Sequence, residues 1–300
     1  MKTSFEEIVK VEQIGQKTDS DLNHLLFKAS KEDLPPAKED EQKTLLMGID
    51  IQNDFMEQGA LGVPGSHKDV ENLTRFLYKN MAKITDICLS IDTHYPQQIF
   101  HPSWWVNQAG EHPEPFTIIT REEVDNGVWI PLKYKQESIH YVHQLERLGK
   151  KQLCIWPYHC LAGTFGAALE GQFANLVYFH SVARQSETIR RVKGLDPLSE
   201  MYGIFKPEYA QEPFVDEELL QKMKEYDRIF IAGEAKSHCV LESLRQMLEY
   251  HADPAFGSRV YLLEDCMSCI PGFEATTEAA LQELQEKYKI NRVRSTEVTW

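Results

Sequence analysis

Arg228-Ile-Phe-Ile-Ala-Gly-Glu-Ala-Lys-Ser-His-Cys-Val240 is the stretch whose reading decides the fold. Arg228 to Ala232 is a short apolar run that suits a buried strand. After it Val240, Leu241, Leu244, Met247 and Leu248 recur at helical spacing. Cys239 therefore stands where a strand passes into a helix. The free amides and positive dipole end of a helix favour a thiolate there. The same amides can hold an oxyanion. The plainer alternative, a buried free cysteine packed as a small hydrophobe, stays open on this stretch alone.

Outward from it, strands and helices alternate. Thr44-Leu-Leu-Met-Gly-Ile-Asp50-Ile predicts strand 1, with Asp50 near its carboxyl end, followed by a Gly-rich loop to Gly65. Val70, Leu73, Leu77 and Met81 share one face of the next helix, with Ser66 or Asp69 near its start. Ile84 to Ile91 predicts strand 2, closed by Asp92-Thr-His94. A small-residue helix is expected over Gly163–Gly171 and strand 3 over Asn175–His180, while Ser181–Lys193 stays undecided. A helix over Asp216–Tyr226 leads into strand 4, before Cys239. Strand 5 is Arg259–Leu263, a helix spans Glu274–Tyr288, and strand 6 is Ile290–Arg294. The expected class is α/β, a three-layer α/β/α architecture with a six-stranded, mostly parallel sheet.

Two segments fall outside that alternation. Residues 1–43 are polar, with one apolar cluster at Leu22, Leu25, Leu26 and Phe27, and Asp19 or Ser20 can cap a short helix there. They read as an arm lying on the main domain, 44–300, or on a partner. Residues 106–151 are too long for a compact connection and read as an insertion over the carboxyl edge of the sheet. Long connections of that kind are often lids.

Bulk properties exclude some roles. Among 300 residues, 46 acidic against 32 basic side chains give a formal charge of −14. Nucleic-acid backbones need clustered Lys and Arg, so such a partner is not expected. No apolar run reaches the ~20 residues of a membrane span, and Met1–Lys10 lacks a secretory signal's apolar core. Six cysteines in this length do not read as a disulfide framework, and Cys266-Met-Ser-Cys269 has no second pair to complete a zinc site. The expected setting is reducing and cytoplasmic. A homo-oligomer stays open.

The residues able to do chemistry sit at predicted strand ends, where open parallel sheets hold their sites. Asp92 and His94, two apart, point the same way and make half of a metal site. His159 follows a short extended run, and His101 lies in the loop after strand 2. Lys193 opens a further loop. Each alone has a plain alternative: Asp50 a loop cap, Lys193 a solvated lysine, His159 a satisfied core histidine.

Taken in order, Ile49-Asp50-Ile-Gln52-Asn53-Asp54-Phe55, Gly59-Ala-Leu-Gly-Val-Pro-Gly65, Asp92-Thr-His94, Trp156-Pro-Tyr-His159-Cys160, Lys193-Gly194 and Ala235 to Val240 resemble the nicotinamidases. These are cysteine hydrolases of the isochorismatase-like superfamily, and the resemblance covers roughly residues 44–300. It implies an amide hydrolase with a Cys239-Asp50-Lys193 triad. In that scheme Cys239 attacks, Asp50 shuttles the proton, and Lys193 supports both. The amides of Ala235 and Cys239 form the oxyanion hole, with a cis peptide at Glu234–Ala235. Asp92, His94 and His159, with His101 as a fourth, hold one divalent ion (Zn, Fe or Mn). Phe55, Trp156 and Gln52 contact a small-molecule amide, nicotinamide first. The same resemblance leaves open another heteroaromatic amide or ureido compound, and a catalytically silent binding module. The chain departs from the pattern in four places. Lys236-Ser237 stands where relatives usually carry Thr-Asp, His101 is offset by a residue, the insertion is longer, and the Tyr/Phe segment after Lys193 is stretched.

Overall fold

The computed structural model describes all 300 residues. In chain order, α1 (Phe5–Ile8) and α2 (Leu22–Ala29) precede β1 (Thr44–Ile49), α3 (Ser66–Lys79) and β2 (Asp86–Asp92). Then come β3 (Trp105–Val106), β4 (Ile118–Ile119), α4 (Arg121–Asp125), β5 (Ile130–Pro131), α5 (Lys135–Arg147) and β6 (Leu153–Cys154). The main alternation resumes with α6 (Gly171–Arg184), β7 (Ile189–Lys193), α7 (Glu217–Lys222) and β8 (Arg228–Gly233). It closes with α8 (Leu241–His251), α9 (Pro254–Gly257), β9 (Val260–Leu263), α10 (Glu274–Tyr288) and β10 (Asn291–Val293).

Six strands form one sheet in the order β10-β9-β8-β1-β2-β7, and every pairing in it is parallel. β1 is buried at all six positions, as the centre of a sheet covered on both faces must be. From β1 the chain moves outward through β2 to β7, then returns to β8 on the other side of β1. β1 and β8 thus flank the point where strand order reverses, the place where such sheets open a crevice at their carboxyl ends.

Two sequence expectations are corrected here. Asn175–His180 is not a strand but the middle of α6, and the sixth strand is β7, inside the undecided stretch. α6 packs against α2, α3 and α1, and Phe173, Leu176, Val177, Phe179, His180 and Ala183 are all buried. A helix covered on more than one side loses its polar face, so its sequence shows no helical stripe. β7 is an edge strand whose alternate residues Arg190 and Val192 are exposed, hence its polar look.

The expected helix over Gly163–Gly171 is also absent. That segment is a turn-rich loop, and the helix begins only at Gly171. Asn53 Nδ2 donates to the carbonyls of Phe165 and Ala168, and the Asp54 amide to that of Gly166. A Cβ at Gly166 would fall 2.0 Å from an Asp54 carboxylate oxygen. The Asn53-Asp54 pair therefore clamps this loop under the site.

The N-terminal arm lies on the domain. Phe5, Ile8, Val9, Ile14, Leu25 and Ala29 join the main hydrophobic core. Asp21, rather than Asp19 or Ser20, caps α2 through the His24 amide. Fully buried Arg184 bonds Asp40 and the Pro35 carbonyl, fixing the linker to α6. The insertion folds as two short antiparallel pairs, β3–β5 and β4–β6, with α4 and α5 packed together. Trp104 Nε1 donates to Ser138 Oγ and anchors α5 to the loop after β2.

Candidate active site

The carboxyl ends of β1, β2, β7 and β8 bring Asp50, Asp92, Lys193 and Cys239 to one buried point. Parallel pairing sets Asp92 opposite Lys193 and Ile49 opposite Gly233. Lys193 is 2% exposed, and its Nζ lies 2.9 Å from Asp50 Oδ2, 2.9 Å from Asp92 Oδ1 and 3.7 Å from Cys239 Sγ. Burial alone would strip the proton from a lysine, but the two carboxylates hold this ammonium well above its ordinary range. Asp50 is raised, chiefly by burial, with Lys193 opposing. A carboxylate moved up in this way accepts a proton more readily. Asp50 takes a left-handed φ of 47°, costing a non-glycine residue about 1 kcal/mol or more. Ser90 Oγ accepts from the Asp50 amide (2.9 Å) and donates to Oδ1 (2.5 Å), holding that conformation. Oδ2 receives the Lys193 ammonium at 2.9 Å and makes no further hydrogen bond.

Beyond β8, Lys236–Val240 forms a wide π-helical turn, in which the Val240 amide reaches the Ala235 carbonyl, before α8 begins. Such turns cluster at functional sites. The turn holds Cys239 over Lys193. Burial pushes the Cys239 thiol well above its ordinary value, against the pull of Lys193. The helix start is expected to favour a thiolate; desolvation wins, and the resting group is a neutral thiol. The Glu234–Ala235 peptide is cis, and the Ala235 amide makes no hydrogen bond within the protein.

Asp92, His94 and His159 are buried with one ligand atom each, all within 4.8 Å of one another. His94 Nδ1 faces the Gly194 carbonyl at 3.2 Å and His159 Nδ1 the Pro157 carbonyl at 2.8 Å. A carbonyl only accepts, so each Nδ1 carries the proton and each Nε2 of a neutral ring presents a lone pair. Those Nε2 atoms lie 2.8 and 3.6 Å from Asp92 Oδ2. Burial would raise Asp92, but His94 and Lys193 hold it ionised, well below the usual carboxylate range. With both rings neutral, two imidazole lone pairs and Asp92 Oδ2 converge on one point and fit a divalent metal; a proton on His94, whose pKa Asp92 raises against burial, can stand in the same place. His101 stands beside this group, its ring centre 6.0 Å from that of His94 and 6.5 Å from that of His159. Neither of its nitrogens has a hydrogen-bond partner, and burial lowers its pKa to about 3.

A small pocket opens onto these groups, lined by Phe55, Trp156, Ala235 and Cys239 among others. Gln52 is not among its walls. The Gln52 amide donates to the carbonyls of Asp92 and Ala167, and its oxygen accepts from the Asp92 amide. Every strong bond it can make goes to backbone, so it positions Asp92 and does not face substrate.

No protein-family model matches the chain, and no curated protein matches it by sequence. Solved structures do. The Acinetobacter baumanii nicotinamidase/pyrazinamidase superposes with a TM-score of 0.57 at 19% identity, covering 87% of this chain and 100% of its own. The yeast nicotinamidase bound to the inhibitor nicotinaldehyde gives 0.59 at 19% identity, covering 84% and 99%. An L. infantum protein in complex with nicotinate gives 0.54 at 16%, covering 89% and 98%. This chain has the nicotinamidase fold.

On that fold, three groups escaped the sequence reading. Ser90 shares the period-two face of Asp92, a signal available but unused. Glu200 follows Lys193 by seven residues in an irregular loop with no motif. It accepts from Trp156 Nε1 at 3.0 Å, and burial raises its pKa to about 7. The third is a buried acid pair behind the Ala235 turn. Ser268 Oγ donates to Asp69 and the Ser268 amide to Glu234. Burial lifts Glu234 well above its ordinary value and Asp69 from 3.8 to about 6.

The native state therefore keeps a proton on Asp69 that the unfolded chain has already lost near pH 4. Its stabilising effect is complete below that pH and disappears as pH rises through about 6. At 1.36 kcal/mol per unit the ceiling is about 3 kcal/mol. Urea unfolding of Asp69→Asn should show a flatter stability profile between pH 4 and 7 and a gain over wild type at pH 8. Parallel profiles for the two proteins would refute the proton assigned to Asp69.

Proposed function

We propose that this chain is an amide hydrolase of the nicotinamidase type, converting a small aromatic carboxamide, nicotinamide first, to the carboxylate and ammonia. The observation that carries the reading is the single buried constellation of Cys239, Asp50 and Lys193 beside a three-ligand cation group in one pocket. The fold shared with structures that hold nicotinaldehyde or nicotinate supports it.

The residues divide the work as follows. As the Cys239 sulfur bonds to the carbonyl carbon, its proton passes to Asp50 Oδ2 and the carbonyl oxygen takes the negative charge. The free Ala235 amide and that of Cys239 receive the oxyanion. The intermediate collapses by breaking the C–N bond, and Asp50 returns the proton to the departing ammonia, leaving a thioester. Water then attacks the thioester carbon, Asp50 takes its proton, and cleavage of the C–S bond frees the acid and restores the thiol. Lys193 stays charged throughout and offsets the charge that moves between Asp50 and Cys239. Phe55 and Trp156 line the ring's place. Asp92, His94 and His159, with His101 beside them, would hold a divalent ion (Zn, Fe or Mn). A bound ion supplies a Lewis-acid contact for a ring nitrogen.

Ammonia release from nicotinamide by the purified, metal-loaded protein tests the reading, and its absence across a panel of aromatic amides overturns it. Metal content gives an independent check. Mass spectrometry of the purified protein should find about one divalent ion per chain, with His94→Ala and His159→Ala reduced to background. Since losing even the groups that orient metal ligands commonly costs 10- to 100-fold, chelated wild type should lose at least about that factor in kcat/KM and regain it on adding Zn, Fe or Mn. Full activity in a metal-free protein would remove the ion from the scheme. A ureido substrate is the second reading, favoured by Lys236-Ser237 and the long insertion, and the same panel separates it by kcat/KM.

A further inference from the structure

A second, larger cavity adjoins the first on the side away from the cation group. The two share Trp156, Tyr202, His238 and Ile270 as walls. Asp92, His159, Lys193 and Cys239 line only the inner one. The outer chamber is mostly apolar and is closed by Phe116 and Ile118 of the insertion and by Phe273. These three are 56%, 39% and 38% exposed, yet they converge on one concavity rather than scattering over the surface. Contiguous exposed apolar surface of that kind marks a binding site.

Its wall rings pack edge to face on one another. Phe116 meets Trp156 with ring centres 5.9 Å apart, His238 meets Trp156 at 5.6 Å, and Phe273 meets His238 at 4.7 Å. Lys151, donating to the Ser237 carbonyl, places its ammonium 5.8 Å from the ring centres of both Tyr202 and Phe273. Aromatic walls with one lysine cation among them favour a guest with a π-face over a plain alkyl chain.

Which end of a substrate reaches this chamber follows from the buried proton carrier. Asp50 is wholly buried beneath Lys193 and Cys239, and the leaving nitrogen must face it. Asp50 lines neither cavity, so that side admits an unsubstituted amide nitrogen. The acyl side faces the shared walls. We infer that the natural substrate is a primary carboxamide on an aromatic ring that carries a second aryl group, seated in the outer chamber. This rests on the amidase reading above and names its substrate class.

The test compares nicotinamide with 5-phenylpyridine-3-carboxamide on the full-length, metal-loaded protein. Two readouts are taken: kcat/KM for ammonia release by wild type, and calorimetric binding to Cys239→Ala. Burying one added ring should favour the phenyl compound by roughly tenfold or more in both. Ile118→Asp, and Ile118→Trp that fills the chamber, should erase this preference and leave nicotinamide unchanged. Ile118→Ala covers the case in which aspartate unfolds the hairpin. Equal or weaker handling of the phenyl compound overturns the inference while leaving the amidase reading standing, as does a preference indifferent to Ile118. Preferential binding with no ammonia from either compound sustains the chamber and overturns the amidase reading. Binding of neither sinks both.

Discussion

Replacing Cys239 with alanine is expected to lower ammonia release by about 10⁴-fold or more, with amide affinity within a few-fold of wild type. The magnitude follows from the loss of the covalent route, since removing the nucleophile of a cooperating set costs about as much as removing the whole set. Affinity should survive because the pocket walls and the cation group do not depend on the thiol. Cys239→Ser should be nearly as inactive, since a buried hydroxyl gives up its proton less readily than a thiol. Wild type quenched during turnover should show the acyl mass on the Cys239 peptide. Turnover by Cys239→Ser near the wild-type rate would shift the chemistry to the cation group, with the cysteine a bystander. Because burial keeps the thiol neutral, alkylation by iodoacetamide should be slow at pH 7 and accelerate with rising pH.

Lys193→Met is expected to cost both stability and activity. The ammonium is the buried cation within 2.9 Å of both Asp50 and Asp92. Methionine matches its bulk but leaves those carboxylates without that counter-charge. Breaking a buried pair on one side costs about 3–5 kcal/mol. Urea unfolding at pH 8 should show a loss of that order, in metal-loaded protein and after chelation alike. Without Lys193 the Asp50 pKa rises further, so the native variant keeps a proton the unfolded chain lacks and the deficit shrinks as pH falls towards 5. Activity should drop by at least about 10³-fold, because the thiol then ionises beside uncompensated negative charge. A loss of stability below about 1 kcal/mol, equal at pH 5 and pH 8, would show that Lys193 does not balance these charges.

These expectations rest on residues that were legible to different degrees. Asp50 and Asp92 could be picked out because each ends an apolar run, and Cys239 because it stands where a strand passes into a helix; strand ends of a parallel sheet converge whatever the details of packing. Lys193 was legible as a motif residue but not as the end of a strand, since β7 is an edge strand whose exposed Arg190 and Val192 blur its pattern. Gln52 looked like a substrate contact because it sits in the signature after β1. Its bonds to Asp92 and Ala167 depend on residues 40 and 115 positions away, which no local pattern encodes. Glu200 was invisible for the same reason, as its partner Trp156 comes from another loop.

The amino-acid sequence by itself determined the α/β alternation, the order of the strand-end acids and the strand-to-helix setting of Cys239, because hydrophobic period and adjacency are local properties. Only the tertiary structure decided that α6 is a helix, for its burial by the arm and the sheet together erased the helical stripe. The tertiary structure also decided that Cys239 rests as a thiol, since desolvation outweighs Lys193 only once the pocket is closed around both. The second chamber belongs to the same class. Phe116, Ile118 and Phe273 come from distant parts of the chain, and their shared surface exists only where the insertion folds back over the sheet.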